Sequence, residues 1–223
     1  MYCKIAIDGP AGSGKTTVAK ELARRLNIDY LDTGAMYRIV GLYLKESGIG
    51  SDANEVEIQK KLANLFIEYK DGNYLVNGKI VGDEIRTAEA GVYASQYGAN
   101  QAVRNFLTNL QKEICKNRSI VAEGRDIGTV VMPDAQVKIF LVASPEVRAK
   151  RRYEELKAKG KEISFDILLN QIIERDKNDT SREIAPLVKA PDAVEIDTSN
   201  MTIEEVIEEI LRIVKNKCRV TDD

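Results

Sequence analysis

The chain has 223 residues, 43% of them apolar and 30% charged, which excludes collagen-like, coiled-coil, wholly disordered and small disulfide-scaffold proteins and leaves one domain, or one with an insertion. Its 33 Lys and Arg against 35 Asp and Glu give a net charge of −2, so general attraction to nucleic acid is not expected and any anion site must be local. The sequence holds no histidine, which removes a Ser-His-Asp triad, a His-ligated zinc and an imidazole base, and leaves lysine, arginine, carboxylate and backbone as the catalytic groups.

In chain order, residues 3–8 form a short apolar strand, and residues 15–26 place Val18, Leu22 and Leu26 at helical spacing after a glycine-rich turn. A second strand is expected over 28–32, followed by a helix carrying Met36, Ile39, Val40 and Leu44 that Gly48 and Gly50 interrupt. Between 54 and 97 the pattern changes. Asp71-Gly72 and Asn77-Gly78 are hairpin-turn signals, so residues 66–69, 74–76 and 79–81 read as a small antiparallel meander inserted into a parallel α/β protein. Apolar runs at 119–123, 137–143 and 193–197 complete an expected count of five parallel strands. Ser144-Pro145-Glu146 opens a helix that Gly160 can close. Thr202 and Glu205 form a capping box ahead of an apolar stripe of Ile203, Val206, Ile207, Ile210, Leu211 and Val214. Residues 219–223 read as a loose terminus.

Cys3, Cys115 and Cys218 are odd in number and show no framework spacing, and the first residues carry no charged leader with a long apolar run. Reduced thiols, a cytoplasmic setting and no membrane association are therefore expected, since no stretch nears the roughly 18 apolar residues of a span.

The sharpest motif is Gly9-Pro10-Ala11-Gly12-Ser13-Gly14-Lys15-Thr16, which matches G-x-x-x-x-G-K-[ST] between a strand and an amphipathic helix. Its backbone N–H groups and the helix N-terminus, with Thr17 following, are suited to cradle phosphates. Lys15 can reach the β and γ phosphates of ATP, and the Thr16 hydroxyl can ligand Mg²⁺. No N-K-x-D guanine-reading element occurs, which argues against a signalling GTPase. The strand ending at Glu123 runs into Gly124-Arg125-Asp126 instead of an acidic pair, which reads as a substrate-contacting turn. Farther on, Arg148, Arg151 and Arg152 share one helix face, as do Arg175, Asp179 and Arg182. Solvated salt-bridged faces would look the same. Their place after the fourth parallel strand also suits an arginine-bearing flap that folds over phosphates.

The blocks Ile7-Asp8-Gly9-Pro10-Ala11-Gly12-Ser13-Gly14-Lys15, Leu31-Asp32-Thr33-Gly34-Ala35-Met36-Tyr37-Arg38, residues 123–131 (E-G-R-D-I-G-T-V-V) and Ala185-Pro186-Leu187 together resemble the bacterial cytidylate kinase family across essentially the whole chain. The resemblance implies an α/β P-loop nucleoside monophosphate kinase fold: a five-stranded parallel sheet flanked by helices, a small antiparallel β subdomain inserted at 54–97, and a helical lid with its adjoining substrate-binding helix at 148–182, in a single kinase domain over 1–223. It implies transfer of the ATP γ-phosphoryl group to CMP or dCMP; a monomer is expected, and the net acidity of the chain argues against nucleic-acid partners. Arg38, Arg125 and Arg182 would grip the acceptor phosphate, Thr33, Ser95, Arg104 and Asp126 would surround the cytosine, and Arg175 and Asp179 would meet the sugar. Lys15 with Arg148, Arg151, Arg152 and Arg182 would stabilise the transferring group. The alternatives are a uridylate, thymidylate or shikimate kinase on the same scaffold, or a nucleotide-gated RNA-binding module.

Overall fold

A computed structural model describes residues 2–70, 72–158 and 160–218. Asp71 of the first expected hairpin turn, Lys159 of the basic run and the expected loose terminus at 219–223 lie outside the described residues. The elements are β1 (Lys4–Asp8), α1 (Lys15–Leu26), β2 (Asp29–Asp32), α2 (Thr33–Glu46), α3 (Glu55–Leu62), β3 (Ile67–Lys70), β4 (Asn73–Val76), β5 (Lys79–Ile80), α4 (Ala88–Tyr97), α5 (Gln101–Cys115), β6 (Ile120–Gly124), β7 (Val137–Val142), α6 (Pro145–Ala158), α7 (Phe165–Ser181), β8 (Val194–Asp197) and α8 (Ile203–Lys217). Every strand expected from sequence is present, its ends within one residue of the expected ones. The chain forms two compact units, Met1–Tyr30 with Asn117–Asp223, and Leu31–Lys116.

The first unit is built on a five-stranded sheet in the order β2-β6-β1-β7-β8. Strand β1 lies parallel to β6 on one side and β7 on the other, and β7 lies parallel to β8. Because β1 is covered on both faces it reads as an unbroken apolar run, with Ile5, Ala6 and Ile7 fully buried. Val18 and Leu22 of α1 and Val206, Ile207, Ile210 and Val214 of α8 close one core with Ile7, Val121, Ile139 and Ile196. The capping box forms as expected, with Thr202 Oγ1 accepting from Glu205 N and Glu205 Oε2 accepting from Thr202 N. Gly160, at φ +69°, follows α6 in the left-handed conformation.

In the second unit, side-chain caps start each helix: Asp32 accepts from Ala35 N, Asn54 from Glu57 N, Thr87 from Ala90 N and Asn100 from Ala102 N. Each cap satisfies an amide that the first helical turn leaves without a partner. The meander is β3-β4-β5, antiparallel throughout, and Asn77 and Gly78 both take positive φ between β4 and β5 as a tight hairpin requires. Helix α2 packs on α4, where a Cβ at Gly41 would stand 2.9 Å from the Tyr93 backbone.

Cysteine state departs from expectation. Cys3 and Cys218 form a disulfide with Cα atoms 5.9 Å apart, while Cys115 is a buried free thiol. A separation of 215 residues hides the pair from any spacing rule. The two cysteines meet because β1 and α8 share one core. Among the described residues no helix is long and apolar enough to cross a membrane.

Linking the chain ends restricts the unfolded ensemble. Cys218→Ser, or reduction of the wild type, is expected to cost about 2–4 kcal/mol and lower the melting temperature by about 10 °C. Scanning calorimetry with and without reductant measures this, and identical melting curves would show that the bridge does not form in solution.

Candidate active site

The site in the first unit starts at the end of β1. Gly9, at φ +149°, turns the chain so closely beneath β7 that a Cβ there would stand 2.1 Å from Leu141 O. Gly12, at φ +78°, lets Arg148 pack closely, since a Cβ on Gly12 would stand 3.3 Å from Arg148 Cβ. Ser13 Oγ donates to Pro10 O at 3.0 Å and Ser13 N to the same carbonyl at 3.4 Å, so the loop closes on itself. Lys15 is 6% exposed, and its Nζ donates to Pro10 O at 2.6 Å and to Ser13 Oγ at 3.5 Å. Burial pushes the Lys15 ammonium well below its ordinary pKa, and Arg125 and Arg175 push the same way against the carboxylates of Glu123 and Asp8. A cation so placed is held at a cost that a bound polyanion would relieve. Thr16 and Thr17 follow on the exposed side of α1.

Three of the expected residues meet in a buried ionic cluster. Arg125 Nε donates to Asp179 Oδ2 at 2.8 Å, and Arg182 Nη1 lies 3.6 Å from Asp179 Oδ1. Burial raises the Asp179 carboxyl, but the charges of Arg125, Arg182 and Arg175 outweigh it and hold the group below the usual carboxylate range. Asp179 O also accepts from Leu187 N at 2.8 Å, and Ala185 before Pro186 adopts φ +46°. Asp126 is 4% exposed and adjoins Arg125 in sequence, at the start of a π turn, Ile127–Val131.

The arginines of α6 have distinct surroundings. Arg148 is 2% exposed and donates through Nε to Ala143 O, through Nη1 to Ala11 O and Asp176 Oδ1, and through Nη2 to Asp176 Oδ2. It therefore ties the phosphate loop, the start of α6 and α7 together. Arg151 reaches Thr198 Oγ1 at 3.2 Å and Thr198 O at 2.6 Å, and Thr198 Oγ1 in turn donates to Val142 O at 3.1 Å. Arg152 pairs with Glu155 one turn on, its side chain 44% exposed.

The second unit holds the other expected residues. Thr33 is buried at the first turn of α2, and Ser95 is half-buried on α4. Arg38 Nη1 stands 3.9 Å from Asp32 Oδ2. Arg104 is 4% exposed, with its guanidinium 5.5 Å from the Tyr37 ring centroid and Nη1 3.4 Å from Tyr37 Oη, a cation–π placement in a dry setting.

Several groups of the first unit carry weight that sequence reasoning gave no role: Asp176 beneath Arg148, Thr198 beneath Arg151, Glu123 accepting from Tyr30 Oη at 2.6 Å, and Asp8. A carboxylate at i+28 from an arginine has no pattern to betray it. Asp8 and Glu123, by contrast, were visible as acidic residues ending apolar strands.

Residues 5–216 match the family model described as cytidylate kinase. The chain is 70% identical over 220 residues to the cytidylate kinase of Fervidobacterium nodosum, an alignment covering 99% of this chain and all of that one. It is 62% identical, with the same coverage, to the cytidylate kinase of Thermosipho melanesiensis. Among solved structures, an uncharacterised protein from Eubacterium ventriosum superposes with a TM-score of 0.53 at 16% identity, covering 96% of this chain and 98% of that one, a likeness of fold alone.

Removing one partner of a buried ion pair strands the other. Asp176→Ala leaves Arg148 with carbonyl partners only, and is expected to lower stability by about 2–3 kcal/mol, measured by urea unfolding. A change below about 0.5 kcal/mol, the range of ordinary surface substitutions, would show the pair to be incidental.

Proposed function

The chain belongs to the cytidylate kinase family, and from that premise we propose that it transfers the γ-phosphoryl group of ATP to CMP or dCMP, giving ADP and CDP or dCDP. The observation that carries the reading is full-length identity of 70% to a cytidylate kinase combined with a buried lysine folded into a phosphate loop.

An oxygen of the acceptor phosphate attacks the γ phosphorus, and the bond to the β–γ bridging oxygen breaks, leaving its electron pair on ADP. The attacking oxygen is already anionic near neutral pH, so no general base is required and a chain without histidine suffices. What remains is management of charge. The backbone of residues 9–14 and Lys15 hold the donor phosphates, with Thr16 and Thr17 at the helix start. Mg²⁺ fits this setting, because it characteristically takes few protein ligands beside substrate phosphates and the Thr16 hydroxyl is exposed at the loop. When bound, Mg²⁺ neutralises charge on the phosphate oxygens.

Arg38, Arg125 and Arg182 serve the acceptor phosphate in this reading, and Arg175 and Asp179 serve the sugar. The pairing of Arg125 and Arg182 with Asp179 supports it, since a shared carboxylate keeps two cations together before an anion arrives. Thr33, Ser95, Arg104 and Asp126 serve the base: a carboxylate accepts from the cytosine amine while a guanidinium donates to N3 and O2. Uracil would leave those polar groups mismatched, which discriminates more strongly than size. Of the α6 arginines, Arg152 is the readiest to swing onto the transferring group, because its tie is one exposed pair, whereas Arg148 and Arg151 hold several partners each. The enzyme acts in this reading as a cytoplasmic monomer on small molecules, without nucleic-acid or membrane partners. The Cys3–Cys218 bridge departs from what is usual in that setting, where thiols are commonly kept reduced.

Coupled ADP release with CMP, dCMP, UMP, dTMP and shikimate tests the reading; absence of CMP-dependent turnover would overturn it. Lys15→Ala is expected to lower kcat about 10²- to 10³-fold, the scale of losing one aligned charge donor. Asp126→Ala is expected to shrink the CMP over UMP ratio of kcat/KM by about 10-fold or more. An unchanged ratio would remove Asp126 from base recognition.

A further inference from the structure

Beyond opposing the charge of Lys15, Asp8 has none of the roles above, yet it is 5% exposed and both of its oxygens are engaged. Oδ1 accepts from Ile127 N at 2.9 Å and Oδ2 from Gly128 N at 2.8 Å. These amides open the π turn that directly follows Arg125 and Asp126. Two parallel charge-assisted bonds to consecutive amides fix both the position and the rotation of a peptide segment, as one bond does not. The turn's other backbone ties are local, with Val130 N and Val131 N both donating to Asp126 O. Asp8 relates this turn to the end of β1, one residue before Gly9. The contact is close-packed: a Cβ at Gly128 would stand in ordinary contact 3.4 Å from Asp8 Oδ2 and tightly at 3.2 Å from Lys138 Cδ.

The tie is made in an expensive way. Burial raises the Asp8 carboxyl from 3.8 to about 6, the two amides pull it down, Asp126 adds to the rise and Lys15 opposes it. With the folded value above the unfolded one, the stabilisation linked to this proton is complete below the unfolded pKa and lost as pH rises through about 6. At neutral pH the fold thus carries a buried carboxylate at a loss, a pattern more typical of working sites than of scaffolding.

We infer that Asp8 is a positioning residue for acceptor recognition: it holds the Arg125–Asp126 segment at a set height and orientation against the phosphate loop that begins at Gly9. The inference rests on the reading that Asp126 meets the cytosine.

Titration calorimetry with CMP, UMP and ATP, each added alone, tests it on the wild type and on Asp8→Asn. Asparagine keeps the shape but offers one acceptor oxygen and sets an NH₂ group against the second amide. The variant is expected to bind CMP about 10-fold or more weakly and to lose preference for CMP over UMP, with a smaller change in ATP affinity that reads the loss of the charge opposing Lys15. A folded Asp8→Asn protein with unchanged CMP affinity and base preference, or with equal loss for CMP and ATP, overturns the inference; the second result is what a merely structural residue would give. Should Asp8→Asn not fold, Asp8→Glu replaces it. It keeps the charge that opposes Lys15 but moves the carboxylate off the two amides by one methylene, so selective loss of CMP affinity supports the inference and unchanged CMP affinity overturns it. Wild-type protein that binds no CMP overturns the functional reading and this inference together, whereas normal wild-type binding beside an unaltered variant overturns this inference alone.

Discussion

A buried ammonium is the constraint around which the first unit is arranged. Lys15 donates to Pro10 O at 2.6 Å, and that bond is possible because Gly9 and Gly12 take backbone conformations that side-chain-bearing residues rarely adopt. The charge needs compensation, and it comes from Glu123 at the end of β6 and Asp8 at the end of β1. Two adjacent parallel strands therefore carry a carboxylate at or next to their last residue, where an apolar sheet would otherwise stop. The strand pairing itself, with Ile7 opposite Glu123 and Asp8 opposite Gly124, brings these acids to the loop. Ligands of parallel α/β sheets gather at the carboxyl ends of strands for this reason: helix N-termini, glycine turns and strand-end charges converge there.

The second layer of charge explains the helices after β7. Arg148 cannot be solvated where it lies, so its hydrogen bonds to Ala143 O, Ala11 O and Asp176 must all be made. That obligation couples the phosphate loop to α6 and α7, and it gives a displacement of either helix a direct route to the loop backbone. Arg125, Arg182 and Asp179 form a parallel arrangement deeper along α7, where one acid restrains two cations. Net charge near neutrality for the whole chain conceals this concentration of cationic groups at one end of the sheet.

Sequence legibility follows the range of the interactions involved. Strands buried on both faces announce themselves as apolar runs, caps such as Thr202 with Glu205 are three residues apart, and the Asn77-Gly78 turn is set by two neighbouring residues. All of these were readable. The Cys3–Cys218 bridge was not, because it spans 215 residues and depends on β1 and α8 entering one core. Arg148 and Arg151 were readable as a helix face but not in their partners, since spacing tells which side chains travel together and not what they meet. Asp8 lay within the most recognisable block of the chain and still escaped a role. A carboxylate ending a strand looks like an ordinary polar boundary until its two amide partners, 119 and 120 residues away, are known.

The same logic separates the residues that choose a substrate from those that hold the choosers in place. A base-reading carboxylate discriminates cytosine from uracil only if its oxygen stays within a few tenths of an ångström of the amine, because the energy at stake is that of one or two buried hydrogen bonds. The π turn at Ile127–Val131 is tied locally, Val130 N and Val131 N donating to Asp126 O and Met132 N to Ile127 O, and those bonds do not fix it against β1. A fixed anion beneath its first two amides supplies the restraint, at a cost in fold stability that the acidic neighbour Asp126 increases. On the proposed reading, selectivity is then set in part by a group that does not touch the base, and its two parallel bonds to consecutive amides are the physical reason to regard it as holding the base-reading segment in place.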